Sequence, residues 1–400
     1  IMTSGELLIP SGYNLTVDNI RYGTGVLRFQ RAITGVQGWR IISSPVSSTF
    51  GDFLDGTLTQ GYTGSTLGDA ALDSLQPNVL SYLESFVGTD NQRYRTPSNI
   101  TAPLVEGQGM FVFFFGDIAA DSRYNDALPD TLDVSGQEFS GTMGEVDFGV
   151  TYTADADPGW NLVGNPFGAT IDWDDNSNWT KTNIDATIYV WDPAANGGNG
   201  EYLTWNGTTG TMGSGLIPPF QGFWIKANAL SPDLRVTTAA KTTGGFCLRK
   251  ENMSKSTDLD SPMFELEIKS EGLQKKTSFL FSESGSINRD NLDGYTLISL
   301  TNSRLELNSL LSDGTPLSIN HLPSELTNRL IIPVEIRGYV DNIPISDEYN
   351  LRFINNDNLP DEWLVLLVDN ETGNEINLLR RADRKSSVGG EPGFEARAVC

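Results

Sequence analysis

Two segments of this chain repeat each other, and the repeat constrains the fold more than any other feature of the sequence. Residues 38–45 and 159–166 both begin with Gly-Trp and end with Pro, and a Gln-Gly pair opens an apolar stretch at both 108–112 and 221–225. The two markers recur in the same order and at nearly the same offset in residue number. A duplicated unit of about 110–120 residues has the size of a domain rather than of a solenoid repeat.

The segments inside each copy have the composition of β-strands. β-Branched and aromatic residues recur in short runs, separated by the turn-forming residues Gly, Asn, Asp and Ser. The glycine of each Gln-Gly pair has no Cβ, which permits a bulge or the close approach of another backbone. The sequence therefore predicts an all-β fold with two related β-sandwich-like repeat units, at residues 36–132 and 133–245. Only two short stretches, 69–75 and 305–311, carry a helical pattern.

The regions outside the two copies differ from them in pattern. Residues 1–35 carry a Leu-Ile-Pro-Ser-Gly-x-x-Leu-x-Val texture that is typical of a β-solenoid remnant, whose earlier coils we expect to lie outside this chain. Residues 246–260 have the polar composition of a linker, and residues 261–379 hold at least six strand patterns, which predicts a further β-sandwich. Residues 380–400 contain five basic and three acidic residues in an otherwise acidic chain, so we predict a non-native or disordered tail.

The charge and the cysteine content exclude several classes of function. A formal net charge of −24 leaves no basic surface to displace counterions from nucleic acid, and it disfavours anionic lipid. No apolar stretch is long enough to span a membrane as a helix, so we predict no membrane insertion. Cys247 and Cys400 cannot form a disulfide framework, and whether they pair stays open. With His321 as the sole histidine, no zinc cluster is expected.

Three tryptophans of the second copy are the candidate ligand-binding residues, and they have two interpretations. They lie in polar, loop-like contexts, at Trp173, Trp179 and Trp205. An exposed indole presents a flat apolar face to a sugar ring, which predicts binding to an extracellular polysaccharide. The same residues serve equally well as core plugs of a small β-domain, because each ring buries a large area.

An acidic segment of the second copy is the candidate metal site. Oxygen-bearing side chains occupy alternate positions, at Asp172, Asp174, Asn176 and Asn178. Calcium loops use such a spacing because the ion takes six to eight oxygen ligands. The EF-hand pattern is incomplete, since Ser177 stands in the glycine position and Asn183 in the glutamate position. An acidic turn without a metal is the alternative, so calcium is the only cofactor that the sequence suggests.

Catalytic motifs are scarce. No Gly-x-Ser-x-Gly elbow is present, and a Ser-His-Asp triad could use only His321, for which we predict a turn. A pair of carboxylates for glycoside hydrolysis stays open, because 51 acidic residues are available and sequence does not reveal their separations. We therefore expect a chain without catalytic residues.

Several stretches resemble a known family. Residues 159–167, 188–192, 220–225 and 366–373 resemble C-terminal β-rich modules of large secreted Bacteroidota proteins that are exported by the type IX secretion system. The resemblance covers residues 36–379 and implies a secreted or cell-surface location. In that family a sorting domain follows, and here the odd tail stands instead, which implies a truncated form.

The sequence and the resemblance together predict non-catalytic structural or interaction modules of an exported bacterial protein, with an adhesin-like role. Extracellular polysaccharide or cell-surface components are the expected partners, and nucleic acid is not. Two alternatives remain open at this point. The chain is the glycan-binding part of a polysaccharide-degrading enzyme, or it is a carboxylate-based hydrolase.

Overall fold

The computed structural model confirms the all-β prediction, because strands hold 43% of the residues and helices 4%. The structure describes residues 1–68, 75–117, 123–141, 144–154, 158–244, 261–270, 272–325, 329–345, 348–356, 358–370, 373–379 and 396–399. Two compact units divide the chain. The first is Ile1–Ser254 with Ile298–Leu300, and the second is Lys255–Leu297 with Thr301–Cys400.

The first copy and the N-terminal region contribute seven strands to the first unit. They are β1 Glu6–Ile9, β2 Val26–Ile33, β3 Gly38–Ile42, β4 Val79–Tyr82, β5 Tyr94–Arg95, β6 Met110–Phe114 and β7 Asp130–Gly136. Two one-turn helices lie between them, α1 Phe50–Phe53 and α2 Asp90–Arg93. Strands β1, β2 and β7 form one sheet, and β3, β6, β4 and β5 form a second sheet in that order.

The second copy contributes ten strands. They are β8 Glu145–Asp147, β9 Trp160–Gly164, β10 Thr170–Asp172, β11 Trp179–Thr182, β12 Ile188–Asp192, β13 Glu201–Trp205, β14 Leu216–Ile217, β15 Gly222–Lys226, β16 Asp233–Thr237 and β17 Lys241–Thr242. The short helix α3 Ala195–Gly198 lies in the hairpin between β12 and β13, and a 3-10 turn spans Thr238–Ala240. Strands β9, β15, β12 and β13 form a four-stranded sheet in that order, beside two three-stranded sheets.

The four-stranded sheets of the two copies have the same strand order, and the β3–β6 and β9–β15 pairs have the same register. In the first copy Trp39 pairs with Phe113, and in the second copy Trp160 pairs with Lys226. Trp160 matches Trp39 when the Gly-Trp markers are aligned, and Lys226 matches Phe113 when the Gln-Gly markers are aligned. The duplication inferred from the markers therefore describes the pairing of the strands as well as their order.

The two copies meet at a joint with approximate two-fold symmetry. The backbone N–H of Ser43 donates to the carbonyl of Phe220 at 3.0 Å, and the N–H of Gly164 donates to the carbonyl of Gly107 at 2.8 Å. Under the same two alignments Ser43 is the equivalent of Gly164, and Gly107 is the equivalent of Phe220. Each copy thus makes the same bond to the other.

The glycine of each Gln-Gly pair lies at this joint. A Cβ on Gly109 would stand 2.4 Å from the carbonyl oxygen of Val163, and a Cβ on Gly222 would stand 2.6 Å from the side chain of Ile41. Both contacts are with the other copy. The glycines are therefore needed for the close approach of the partner strand, which was one of the two roles that the sequence allowed.

An aromatic layer fills the space between the two four-stranded sheets. Along β15, Phe223 and Ile225 enter the core of the second copy, whereas Trp224 between them points the other way. The ring of Trp224 lies 4.8 Å from the ring of Tyr82 and 6.0 Å from that of Phe111, both in the first copy. Side chains alternate across a strand, so each face of β15 packs against a different layer.

A buried carboxylate also ties the copies together. Glu84 follows β4 and is 2% exposed. One of its oxygens accepts hydrogen bonds from the backbone N–H groups of Thr153 at 2.6 Å and Gly159 at 3.0 Å. The other oxygen accepts from the hydroxyls of Thr151 at 2.6 Å and Thr153 at 3.0 Å. Four donors of the second copy thus solvate one carboxylate of the first, as a buried charge requires.

The second unit consists of β-strands around its own core. They are β18 Met263–Ser270, β19 Leu273–Ser282, β20 Gly294–Tyr295, β21 Arg304–Leu310, β22 Pro316–Pro323, β23 Val334–Val340, β24 Ile343–Ile345, β25 Glu348–Ile354, β26 Leu366–Val368, β27 Glu375–Asn377 and β28 Ala396–Val399. A nine-stranded sheet contains all of them except the β26–β27 hairpin. Phe264, Leu266 and Ile268 alternate along β18 and enter the core, as their spacing predicts.

Strands β19 and β22 run parallel within this sheet. Their register pairs Leu280 with His321 and Ser282 with Pro323. A parallel pair cannot close through a hairpin, so the intervening segment 283–315 carries the chain back to the start of β22. This crossover brings His321 close to the end of β19.

Two local predictions are corrected by the strands. Residues 305–311 were predicted as a short helix, and they lie almost wholly in β21. His321 was predicted in a turn, and it lies inside β22. In both places partners elsewhere in the sheet outweigh a weak local signal, because a helical run of about two turns is marginal without tertiary packing.

Three other predictions fall largely outside the described residues. The other helix pattern, at 69–75, has only its last residue in the described part of the chain, and the linker at 246–260 has no described residue. Of the tail at 380–400, only β28 is described, and it pairs antiparallel with β25, where Tyr349 lies opposite Ala398.

Candidate functional site

The three candidate tryptophans lie in the core of the second copy. Trp173 is 1% exposed, Trp179 is 7% exposed and Trp205 is 6% exposed. The indole N–H of Trp173 donates to the carbonyl of Ala186, and that of Trp179 donates to the carbonyl of Asp172, each at 2.8 Å. Their rings offer no open face to a sugar. The structure thus agrees with the interpretation of these residues as core plugs and removes the glycan-stacking role from these positions.

The oxygens of the acidic segment are already hydrogen-bonded. An Asp172 carboxylate oxygen accepts from the backbone N–H of Asp174 at 3.0 Å, and the Asp174 carboxylate accepts from the indole N–H of Trp205 at 2.9–3.0 Å. The side-chain oxygen of Asn178 accepts from the hydroxyl of Thr237 at 2.8 Å. Across the described residues, no group of three or more His, Cys, Asp or Glu side chains is arranged to hold a metal ion.

The side chain of Lys181 brings a positive charge into the acidic segment. The ammonium of Lys181 donates to the side chain of Asn176 at 3.1 Å and to the carbonyl of Trp173 at 2.5 Å. It also lies 4.1 Å from the centre of the Trp173 ring, within cation–π range. Burial lowers the pKa of Lys181 to about 8, against the opposing pull of Asp174 and Asp172. The loop therefore has an internal cation, and its side-chain oxygens accept hydrogen bonds from within the protein.

A different cluster, in the second unit, has the geometry of a Ser-His-Asp triad. Nδ1 of His321 lies 2.8 Å from a carboxylate oxygen of Asp290, and Nε2 lies 2.7 Å from the hydroxyl oxygen of Ser282. An ionised carboxylate only accepts hydrogen bonds, so a neutral imidazole carries its proton on Nδ1 and accepts at Nε2 from the serine. This is the order of contacts by which a histidine deprotonates a serine and a carboxylate orients the histidine.

A second carboxylate fixes the same cluster from the backbone side. Asp293 accepts a hydrogen bond from the backbone N–H of His321 at 2.9 Å, and another from the backbone N–H of Asp290 at 2.9 Å. Burial raises the pKa of Asp293 to about 6, although these two backbone bonds act in the opposite direction. Asp293 thus fastens the loop of Asp290 onto strand β22 and sets the position of the carboxylate beside the imidazole.

The surroundings of the imidazole restrict its access to solvent. The side chain of His321 is 2% exposed and that of Asp290 is 18% exposed, while Ser282 is half-buried. The turn after Ser282 packs directly on β22, since a Cβ on Gly285 would stand 2.0 Å from the carbonyl oxygen of Leu322. The cluster has the contacts of a catalytic triad inside a tightly packed turn.

Sequence reasoning identified His321 and missed its two partners. Ser282 and Asp290 precede His321 by 39 and 31 residues, in a segment of ordinary polar composition. The parallel pairing of β19 with β22 is what brings them together. The one available signal was that the strand pattern at 277–281 ends immediately before Ser282, where a side chain can leave the sheet.

Comparison with protein-family models, curated proteins and solved structures finds no match to this chain. In the part of the chain that the structure describes, no helix is both long and apolar enough to cross a membrane.

Proposed function

We propose that the chain provides non-catalytic β-modules to an exported or cell-surface bacterial protein, where they act as structural or adhesin-like interaction domains. One observation carries the proposal: the side chains that could bind a ligand or take part in catalysis are used for hydrogen bonds and packing within the protein. The tryptophans of the second copy pack in its core, Lys181 donates hydrogen bonds within the acidic loop, and His321 is enclosed between β22 and its covering turn. Such use of polar and aromatic groups favours a stable scaffold.

The proposed location follows from the sequence. The net charge of −24 keeps the surface hydrated and mutually repelling, which suits a protein displayed outside the cell. The resemblance to modules exported by the type IX system supplies the route and the Bacteroidota origin, both of which stay part of the proposal. Extracellular polysaccharide or cell-surface components are the partners it names.

A direct test removes the modules from the cell. Deleting residues 36–379 from the gene in the source bacterium is expected to reduce attachment to polysaccharide-coated surfaces and to leave secreted hydrolase activities unchanged. Immunolabelling of intact cells with an antibody against these residues is expected to be positive. Unchanged attachment together with absent surface labelling would contradict both the role and the location.

A second candidate function rests on the triad geometry alone. In an acyl transfer, the Ser282 oxygen would bond to the acyl carbon of an ester while Nε2 of His321 takes the serine proton. The ester C–O bond would then break, and the imidazolium, held by Asp290, would return that proton to the leaving alkoxide. The distances of 2.7 and 2.8 Å favour this reading, and the 2% exposure of the imidazole side chain opposes it.

An active-site probe separates the two candidates. The purified chain is treated with an alkyl fluorophosphonate, which labels activated serines, and is compared with the Ser282→Ala variant and with Ser312→Ala, an exposed serine outside the cluster. The non-catalytic proposal expects no stoichiometric label on any of the three proteins. Labelling of the parent chain and of Ser312→Ala, but not of Ser282→Ala, would establish the acyl-transfer candidate instead.

A further inference from the structure

The N-terminal strands stack as coils of a parallel β-solenoid. Glu6 pairs in parallel with Val26, and Ile9 pairs with Phe29, so both pairs have the same offset in residue number. Outside these strands, Met2 forms a parallel bridge with Tyr22, which repeats that offset. A parallel ladder whose strands lie 20 residues apart, joined by a connection without a helix, has the geometry of successive solenoid coils and excludes a hairpin.

The stack has one covered side and one open side. On the covered side β7 pairs antiparallel with β2, with Leu27 opposite Gly136 and Phe29 opposite Val134. On the other side β1 is the last strand of its sheet, and within the described residues no strand pairs with its outer edge. The open edge therefore belongs to the first coil alone.

Exposure along the ladder shows what the open edge lacks. Leu7 and Leu27 occupy the same position in successive coils, yet Leu7 is 46% exposed and Leu27 is fully buried. Leu8, the next residue of β1, is 45% exposed. Parallel strands are ordinarily covered on both faces, and natural edge strands are usually protected by charges or by a covering segment. Two adjacent half-exposed leucines on such an edge mark an unfilled packing position.

Backbone contacts fix the spacing between the two coils. Backbone bonds join the coils, since the N–H of Gly23 donates to the carbonyl of Met2 at 2.7 Å and the N–H of Val26 donates to that of Gly5 at 3.0 Å. A Cβ on Gly23 would stand 2.5 Å from the carbonyl oxygen of Thr3, so the coils approach as closely as glycine allows. A strand added to β1 in this register would extend the same ladder of backbone hydrogen bonds.

We propose that the outer edge of β1 binds a further coil of the same parallel β-solenoid, whose strand lies in register with Glu6–Ile9 and covers Leu7 and Leu8. The occupant carries an apolar residue opposite Leu7, as Leu27 does on the other side. It carries a basic residue near Glu6, because Glu6 already contacts Arg28 on one side at 3.6 Å and a second acid there would repel it. The N-terminal region thus acts as a coupling surface that extends a solenoid.

The test adds a further coil to the full chain. A second copy of residues 1–20 is placed directly before Ile1, so that the register between β1 and β2 is repeated between the added strand and β1. A matched extension carries lysine in place of the glutamate of the added copy, which removes the like-charge pair with Glu6. The control extension contains the same residues in scrambled order.

The expected result is slower hydrogen exchange at the amides of residues 7–9, by ten-fold or more, and a melting temperature a few degrees above that of the scrambled control. The lysine version is expected to give the larger shift. Equal exchange rates in both extensions and in the scrambled control would overturn the proposal. A concentration-dependent dimer of the parent chain that Leu7→Lys dissolves would also overturn it, because it would assign the edge to a second copy.

Discussion

Replacing Glu84 tests whether one carboxylate holds the two copies together. In Glu84→Ala the backbone N–H groups of Thr153 and Gly159 lose the acceptor to which they now donate at 2.6 and 3.0 Å. The hydroxyls of Thr151 and Thr153 lose theirs as well, but a hydroxyl can rotate to another acceptor. The two backbone groups are fixed in direction, and the bond of Gly159 is buried while that of Thr153 is partly buried, so they determine most of the cost.

The magnitude follows from those two donors. Leaving a buried donor unsatisfied costs about 1–3 kcal/mol, and hydrogen bonds to a charged group lie at the upper end of that range. Removing the carboxylate also removes the cost of burying its charge, which offsets part of the loss. We expect Glu84→Ala to lower the free energy of unfolding of the first unit by about 2–5 kcal/mol.

The matched control is Glu84→Gln. Its amide oxygen still accepts from the N–H groups of Thr153 and Gly159, and its NH2 group can donate to the threonine hydroxyls, so we expect a loss of about 1 kcal/mol. Urea unfolding followed by tryptophan fluorescence reports on the right unit, because seven of the eight tryptophans precede residue 245. With a slope of about 3 kcal/mol per molar urea, the alanine midpoint falls by roughly 1 M.

Two results would refute this reasoning. An alanine variant within about 0.5 kcal/mol of the parent would mean that water or a local shift satisfies both amides. A glutamine variant as unstable as the alanine variant would mean that the negative charge, and not the acceptor geometry, is what matters. Near-ultraviolet circular dichroism of each variant before urea is added checks that the folded states are comparable.

Three further predictions concern other contacts of the first unit. Gly109→Ala is expected to lower the free energy of unfolding in urea by about 1–3 kcal/mol, because the new Cβ would stand 2.4 Å from the carbonyl oxygen of Val163. An unchanged midpoint would mean that the joint between the copies can shift to accept the Cβ. Lys241→Met leaves the carboxylate of Glu138 buried without its 2.7 Å partner and is expected to lower the free energy of unfolding by about 3–5 kcal/mol. Adding Glu138→Gln is expected to recover part of this loss, and no recovery would mean that the unpaired charge of Glu138 is not its cause. Lys181 has its pKa lowered from 10.5 to about 8, so the unfolded chain binds more protons between these values, and this group's contribution to stability rises from pH 8 to pH 10. The rise is expected to be about 1–3 kcal/mol, seen as the difference between the parent and Lys181→Met, and equal pH profiles of the two proteins would contradict it.

Local sequence pattern was enough to predict an all-β fold and a duplicated unit. Aligning the Gly-Trp and Gln-Gly markers of the two copies reproduces the pairing of Trp39 with Phe113 and of Trp160 with Lys226. This information is local. The alternation of side chains along a strand predicts which residues face a core. Two copies with the same alternation in the same order are therefore expected to form the same sheet.

Tertiary packing set what covers each face of a sheet and which polar groups meet. The pattern around Trp173 was equally compatible with a sugar platform and with a core plug, and the packing of the second copy placed the ring inside. Ser282 reaches His321 because β19 and β22 pair in parallel, and Asp293 holds the loop of Asp290 beside it, an arrangement that no local period encodes. The acidic loop obtained its cation from Lys181, a residue whose neighbours are set by the fold. Periodicity reports the face on which a side chain lies, whereas the identity of the group opposite depends on long-range pairing.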